Sequence, residues 1–451
     1  MCNIAEVVRQ FKEAWTQQFE DEAILAACRQ AGVTWRERWL SPVYTVKLFL
    51  LQILAGNTAC DHVPRLAGDR FTGEAYCKAR ARLPRAVLQR LLTTCTRAMI
   101  DAVRDDGRWR GHRLWLLDST GFSMPDTPAL RAHFGQPGGQ KTGCGFPVAH
   151  CLALVHAASG LVQRMVLAPL RTHDMSLVSQ LLEHLAPGDV AVADRGFASY
   201  ANLAQLWQRG VYGMMRAHQK TIIDFTTRRP HKRPGEKRSR ADRGIPYSRY
   251  VKRLGKQDQL VEWYRPKSRP DWMTPEGFAA LPKSLLVREL RYRIQRRGCR
   301  VKEVTLVTTL VDAVRYPAKE LADLYLRRWQ VETDFAHLKT TLGMDILKCK
   351  TVAGVEKEAL MFVLVYNLVR MVMRAAARRQ KVDVERISFI DAWRWLRSAT
   401  PETRFGDLIV NPARRGRYEP RVRKRRPKQY PVMKRPRHEL QKTLINQQLG
   451  A

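Results

Sequence analysis

Acidic side chains are scarce in this chain: 42 Asp and Glu stand against 79 Lys and Arg, a formal net charge of +37 over 451 residues. An imbalance of that size implies a polyanionic partner, nucleic acid ahead of an anionic membrane. Cysteine is sparse too. The nine are scattered with no C-x-x-C pair, which excludes a zinc ribbon or a disulfide framework and leaves small buried side chains in a reducing cytosol. Long apolar runs are missing. The longest, residues 359–366, meets Asn367 and Arg370 and is too short to span a bilayer. The first residues, Met-Cys-Asn-Ile-Ala-Glu, lack the basic-then-apolar pattern of a secretory signal. What is present is ordinary globular material, 45% hydrophobic, and long enough for two to four domains.

Residues 1–108 alternate helical periods with short breaks and predict an N-terminal helical, DNA-binding domain, with the clearest apolar faces at 46–54 and 87–99. Residues 71–83 carry Lys78, Arg80 and Arg82 ahead of Pro84, as either a DNA-facing helix or a solvated basic face. The texture changes at Arg113. Apolar runs at 114–117, 146–156, 161–167, 190–193 and 211–215 read as strands, and 175–185 and 200–208 as helices. That alternation indicates an α/β core beginning at 109–220. Residues 221–300 read as a basic, β-rich insertion: eleven Lys/Arg crowd 228–253 against Glu236 and Asp242, and 260–264 and 290–294 are strand-like. The core resumes over 301–380, where a mostly apolar helix at 356–377 is expected to be buried. Residues 381–451 complete the chain as a helical segment and a basic tail, with twelve Lys/Arg within 414–437 against one acid, Glu419. Such a tail buries no core of its own, and its cations, Arg425 and Arg426 among them, suit phosphate contact.

One stretch within the second core part carries the chemistry. Residues 325–339 read Tyr325-x2-Arg328-x3-Glu332-x6-Lys339. At about 100° per residue, with Tyr325 as zero, Arg328 falls at about −60°, Glu332 at about −20° and Lys339 at about −40°. An aromatic, two cations and a carboxylate thus share one stripe. Leu324, Val331, Phe335, Leu338 and Leu342 form an apolar stripe beside it. Asp323 and Asp334 fall at about 160° and about 180° and are expected to face solvent. Upstream, Asp118 and Asp194 each follow an apolar strand and precede small residues. In an open α/β sheet that carboxyl edge is where ligands bind. Three carboxylates with phosphate oxygens suit a pair of hard cations such as Mg²⁺. Arg328 and Lys339 suit phosphate, one as a planar fork and the other as a point charge. Other acids fit less well: Asp174 reads as a helix start, and Asp126 lies in a loop between prolines. The Gly135–Thr142 stretch has Gln140 where a phosphate-binding loop needs its second glycine.

The Tyr-Arg-Glu-Lys run resembles the signature of bacterial insertion-sequence transposases with Asp-Asp-Glu triads, the insertion-sequence-four group, to which the transposon-five transposase is related. Asp118-Ser-Thr-Gly-Phe122 resembles that group's first-aspartate motif and Val192-Ala-Asp194-Arg-Gly-Phe197 its second. Glu332 follows Asp194 by 138 residues, which also suits the group, and the likeness runs in order over about 70–430. The resemblance implies an α/β, ribonuclease-H-like core with a β-strand insertion between second Asp and Glu. It implies two Mg²⁺ or Mn²⁺ ions held by Asp118, Asp194 and Glu332, and DNA-backbone contact by Tyr325, Arg328 and Lys339. It also implies an insertion-domain tryptophan, Trp263 or Trp272, that stacks a flipped base. The implied partners are double-stranded DNA (inverted-repeat ends and target) and a second copy of the chain, in the bacterial cytoplasm at the nucleoid, with no membrane. The implied reaction is cut-and-paste transposition; the alternatives are a non-catalytic DNA-binding regulator or domesticated derivative, and a general nuclease with the same triad.

Overall fold

The computed structural model describes residues 4–36, 38–103, 107–138, 141, 143–226, 244–294, 303–412 and 434–449. Helices come first: α1 (Ile4–Arg9), α2 (Asp21–Gln30), α3 (Pro42–Leu54), α4 (Val63–Ala67), α5 (Gly73–Arg82) and α6 (Arg85–Asp101). Local chemistry starts them where it should. Ser41 accepts from Tyr44 N with Pro42 in the first turn of α3, and Thr72 accepts from Ala75 N ahead of α5.

The middle of the chain alternates: β1 (Leu114–Ser123), α7 (Pro128–Phe134), β2 (Val148–His156), β3 (Leu161–Pro169), α8 (Asp174–Leu182), β4 (Val190–Ala193), α9 (Tyr200–Gln208) and β5 (Tyr212–Arg216). The insertion contributes β6 (Ser248–Gly255), β7 (Asp258–Tyr264), α10 (Pro275–Ala279) and β8 (Ser284–Arg293), and β9 (Glu303–Thr308) returns from it. All nine strands form one sheet in the order β3-β2-β1-β4-β5-β9-β8-β7-β6. β1, β4 and β5 are parallel neighbours; the other pairings are antiparallel. β4 reads Val-Ala-Val-Ala and is wholly buried, as a parallel strand covered on both faces must be.

The chain then adds α11 (Ala318–Leu326), α12 (Gln330–Ala336), α13 (Val352–Gln380), α14 (Phe389–Ser398) and α15 (Arg437–Leu449). Among the described residues α13 alone is long and apolar enough to cross a membrane, but it lies inside the protein, packed on α3, α6, α14 and β3. Its polar residues are tied to the rest of the fold. Lys357 Nζ donates to the carbonyls of Arg80, Ala81 and Leu83 at 2.7, 3.1 and 3.0 Å, a cation at the C-terminus of α5. Glu358 accepts from Asn57 Nδ2 (2.6 Å) and from the amides of Lys348 and Cys349 (2.8 Å each). Asn367 bridges Thr96 and both backbone groups of Val162.

Two expectations change here. Arg80 does not face DNA: its guanidinium turns inward over the Phe49 ring and donates to Gln52 Oε1 at 2.9 Å, leaving Lys78 and Arg82 on the exposed side. β9 pairs with the edge of β5, and the insertion strands β8, β7 and β6 continue that same sheet outward instead of forming one of their own. Arg425 and Arg426 lie outside the described residues. Glu358→Ala strands three donors at once, so it should cost about 2–4 kcal/mol, read as a lower urea midpoint for the first unfolding transition.

Candidate active site

The parallel register of β1 and β4 ends at Leu117 opposite Ala193, and the next residue on each strand is an acid. They leave the register differently. β4 stops, and Asp194 caps a short 3₁₀ turn, Arg195–Phe197, by accepting from Gly196 N at 2.7 Å. β1 continues to Ser123 paired with β2, so Asp118 sits within a strand instead of at its end. Its Oδ1 accepts from Ser119 N at 2.9 Å.

The third wall is the Tyr325–Lys339 stretch. It is helical throughout but not uniformly α: a 3₁₀ turn (Arg327–Trp329) joins α11 to α12, and a π turn (His337–Thr341) follows. The first overwinds and the second underwinds, so the two displacements oppose each other, and Arg328, Glu332 and Lys339 still share one cleft. Leu324, Val331, Phe335, Leu338 and Leu342 are all buried, as their spacing requires. Asp118, Asp194, Glu332, Arg328, Lys339 and Thr120 come together on one cleft of about 510 Å³.

Within the cleft Arg328 stands between acids. Its NH1 is 3.3 Å from Asp118 Oδ2 and its NH2 is 3.1 Å from Glu332 Oε1, while the Trp329 ring flanks it at 5.1 Å. Lys339 Nζ donates to Thr120 Oγ1 at 3.2 Å. Burial, and then the like charges of Asp194 and Glu332, push the Asp118 carboxyl up to about 6, against the pull of the Ser119 amide and Arg328.

The description "Transposase DDE domain" belongs to a family model that matches residues 109–368. Over 389 residues the chain is 26% identical to the transposase InsG for insertion sequence element IS4 of Escherichia coli K12, covering 81% of this chain and 80% of that protein. The chain belongs to the IS4 family of DDE transposases. The putative transposase InsZ of the same organism is 29% identical over 139 residues, 30% of this chain and 46% of its own length. A solved piggyBac transposase, in a synaptic complex with hairpin DNA, covers 85% of this chain and 78% of its own at 9% identity, with a TM-score of 0.45, a likeness too slight to carry function.

Several expected residues of the transposase stand elsewhere than the sequence placed them. Tyr325 is only 5% exposed; it lies behind Arg328, close to the guanidinium, and does not line the cleft. Trp263 is 6% exposed on β7, and its indole N–H donates to Glu289 Oε1 at 2.8 Å. A ring held that way offers no face for a base, which leaves the half-buried Trp272. Asp334 does not face solvent: it is 2% exposed and accepts from the Tyr366 hydroxyl at 3.0 Å, with Arg370 of α13 at 3.8 Å. The wheel gave its direction correctly but not what lies there. Asp323 is exposed as expected.

The sequence also missed a polar group on the face of β1 opposite Asp118. Asp174 begins α8 as read, yet its Oδ2 accepts from Ser119 Oγ at 3.2 Å and its Oδ1 lies 2.6 Å from His150 Nε2. His150 pairs opposite Gly121 on the same face as Ser119. Only the β1–β2 register reveals this, and nothing in the local spacing announced it.

The fit to divalent cations is mixed. The donors are hard oxygens, and after burial the charges of Asp194 and Glu332 add to the rise of Asp118, as expected of acids that share a cation. Yet among the described residues no three His, Cys, Asp or Glu side chains stand grouped to hold a metal, and Arg328 contacts both Asp118 and Glu332.

Without metal, the raised Asp118 has a plain consequence. Its folded pKa lies above its unfolded one, so the proton favours folding; that contribution is full below about 4 and lost as pH rises through about 6. Asp118→Asn should therefore gain about 1–3 kcal/mol on the wild type between pH 5 and pH 8, measured by parallel denaturant titrations in chelator. Equal pH slopes would rule it out.

Proposed function

We propose that this transposase moves its element by metal-dependent cut-and-paste transposition on a ribonuclease-H-like core. The observation that carries the reading is the convergence of Asp118, Asp194 and Glu332 with Arg328 and Lys339 on one cleft where the pairing of β1 with β4 ends. The strand order β3-β2-β1-β4-β5, and an insertion between the strand of Asp194 and the helix of Glu332, support the ribonuclease-H-like assignment. Asp118, Asp194 and Glu332 are the side chains that would hold two Mg²⁺ or Mn²⁺ ions. When bound, such ions activate the attacking oxygen and stabilise the leaving one.

A water oxygen attacks phosphorus at the element's end, the bond to the 3′-oxygen breaks, and a 3′-hydroxyl is released. That hydroxyl attacks a phosphorus of the opposite strand and displaces the 3′-oxygen of the flanking DNA, leaving a hairpin; water attacks the same phosphorus and returns the 3′-hydroxyl, which then attacks target phosphorus and displaces a target 3′-oxygen. Lys339, fixed by Thr120, gives the phosphate a point charge beside the acids. Trp272 is the remaining candidate for stacking a flipped base.

The N-terminal helical segment contributes DNA contact through the loop after α2. There Trp39 is 70% exposed, with Arg36 and Arg38 beside it. Its indole is held at the edge by Asp69, which also accepts from the Tyr44 hydroxyl at 2.6 Å. The working form is a homodimer on paired ends.

The test uses the inverted repeats that flank the gene. Wild type with Mg²⁺ or Mn²⁺ should nick them, and Glu332→Ala should lower nicking by at least about a thousandfold, the scale on which removal of a metal-centred group acts. End binding should change by no more than a few-fold. Nicking by Glu332→Ala at the wild-type rate would overturn the triad. A wild type that binds these ends but never cuts them would favour the non-catalytic regulator.

A further inference from the structure

Arg328 cannot serve DNA from where it stands. It is 8% exposed, and its two terminal nitrogens face Asp118 and Glu332. Both contacts exceed the roughly 2.7–2.9 Å of a strong charge-assisted bond. Each acid receives one bond, not a bidentate pair, and the buried Nε finds no acceptor among the described residues. This is a loose hold. The Glu332 side chain is about half exposed and one helical turn away, so it can move without repacking the core. Lys339, by contrast, donates to a hydroxyl beside the Phe122 ring and meets no acid among the described residues, so it is available to phosphate at once.

We infer that Arg328 is a placeholder cation: it neutralises Asp118 and Glu332 while DNA is absent and moves to a phosphate when an end docks, freeing both acids for metal. The inference rests on the metal-site reading above and adds its regulation. DNA and divalent cation then compete with, and relieve, the same contact. Because coupling between two ligands is reciprocal, an end tightens metal by the factor that metal tightens the end. The free protein stays poorly loaded, and cutting is confined to docked ends.

The experiment measures Mn²⁺ binding to the full chain by electron paramagnetic resonance at fixed ionic strength. It is run with and without a pre-cleaved duplex bearing the flanking repeat, which has no bond left to hydrolyse. Wild type should bind Mn²⁺ at least about tenfold more tightly with the duplex, within the usual range for coupled sites. Arg328→Ala, and Arg328→Gln if the smaller side chain disturbs folding, should bind Mn²⁺ about tenfold more tightly than wild type without DNA and gain little when DNA is added. Variants that bind Mn²⁺ no better than wild type without DNA, with the duplex effect intact, would overturn the placeholder role alone. Mn²⁺ binding that survives Asp118→Asn and Glu332→Ala together would overturn the metal-site reading and the placeholder with it.

Discussion

A buried polar group must find a partner, and α13 turns that requirement into the framework of the molecule. The helix is buried along most of its length, yet it carries Lys357, Glu358, Asn367 and Arg370. Each bonds a different part of the chain: the end of α5, the segments around Asn57 and Lys348, the β3–α6 contact, and the β2–β3 turn, where Arg370 Nε donates to Ser159 O at 2.9 Å. Arg370 also meets Glu385 at 2.5 Å and lies near Asp334. Leaving any of these unpaired costs more than the pairing itself returns. Helical domain, sheet and the helix of Glu332 are therefore held in register by one element.

Electrostatics follow from the same scarcity that marks the composition. In a chain of net charge +37, the cleft gathers three acids and sets two cations, Arg328 and Lys339, among them. There burial outweighs the help Arg328 gives Asp118. The surrounding positive field draws in DNA from a distance, while the local acids wait for a cation of their own. A single arginine sits where these two demands meet.

Much of this was legible in the sequence. Residues 190–193 and 200–208 are found as read, since a short apolar run between turns and an amphipathic nine-residue period have few other solutions. The three acids and two cations share a cleft because the end of an apolar run and the phase of a helix are local properties. What the sequence could not convey is what stands opposite. Helix phase pointed Asp334 away from Glu332, but solvent and α13 lie in the same direction on a wheel. Trp263 and Trp272 look alike until β7 pairs with β8 and turns one ring onto Glu289. Arg80 reads as a surface cation until α3 supplies Phe49 and Gln52. Asp118 looked like a strand end because the apolar run stops there, although β2 carries the strand on.

The end of the β1–β4 register has a historical consequence. Asp118 and Asp194 lie one step past paired backbones, so the gap between their strands is the about 4.7–4.9 Å that any sheet imposes. That spacing is indifferent to side-chain identity and survives extensive sequence drift. Glu332 has no such guarantee. Its place depends on how Val331 and Phe335 pack and on what Asp334 meets beneath. Along a lineage accumulating substitutions, the two aspartates hold station by geometry, whereas the glutamate must be re-secured whenever its packing changes. Inactive copies should therefore decay first from the helix side.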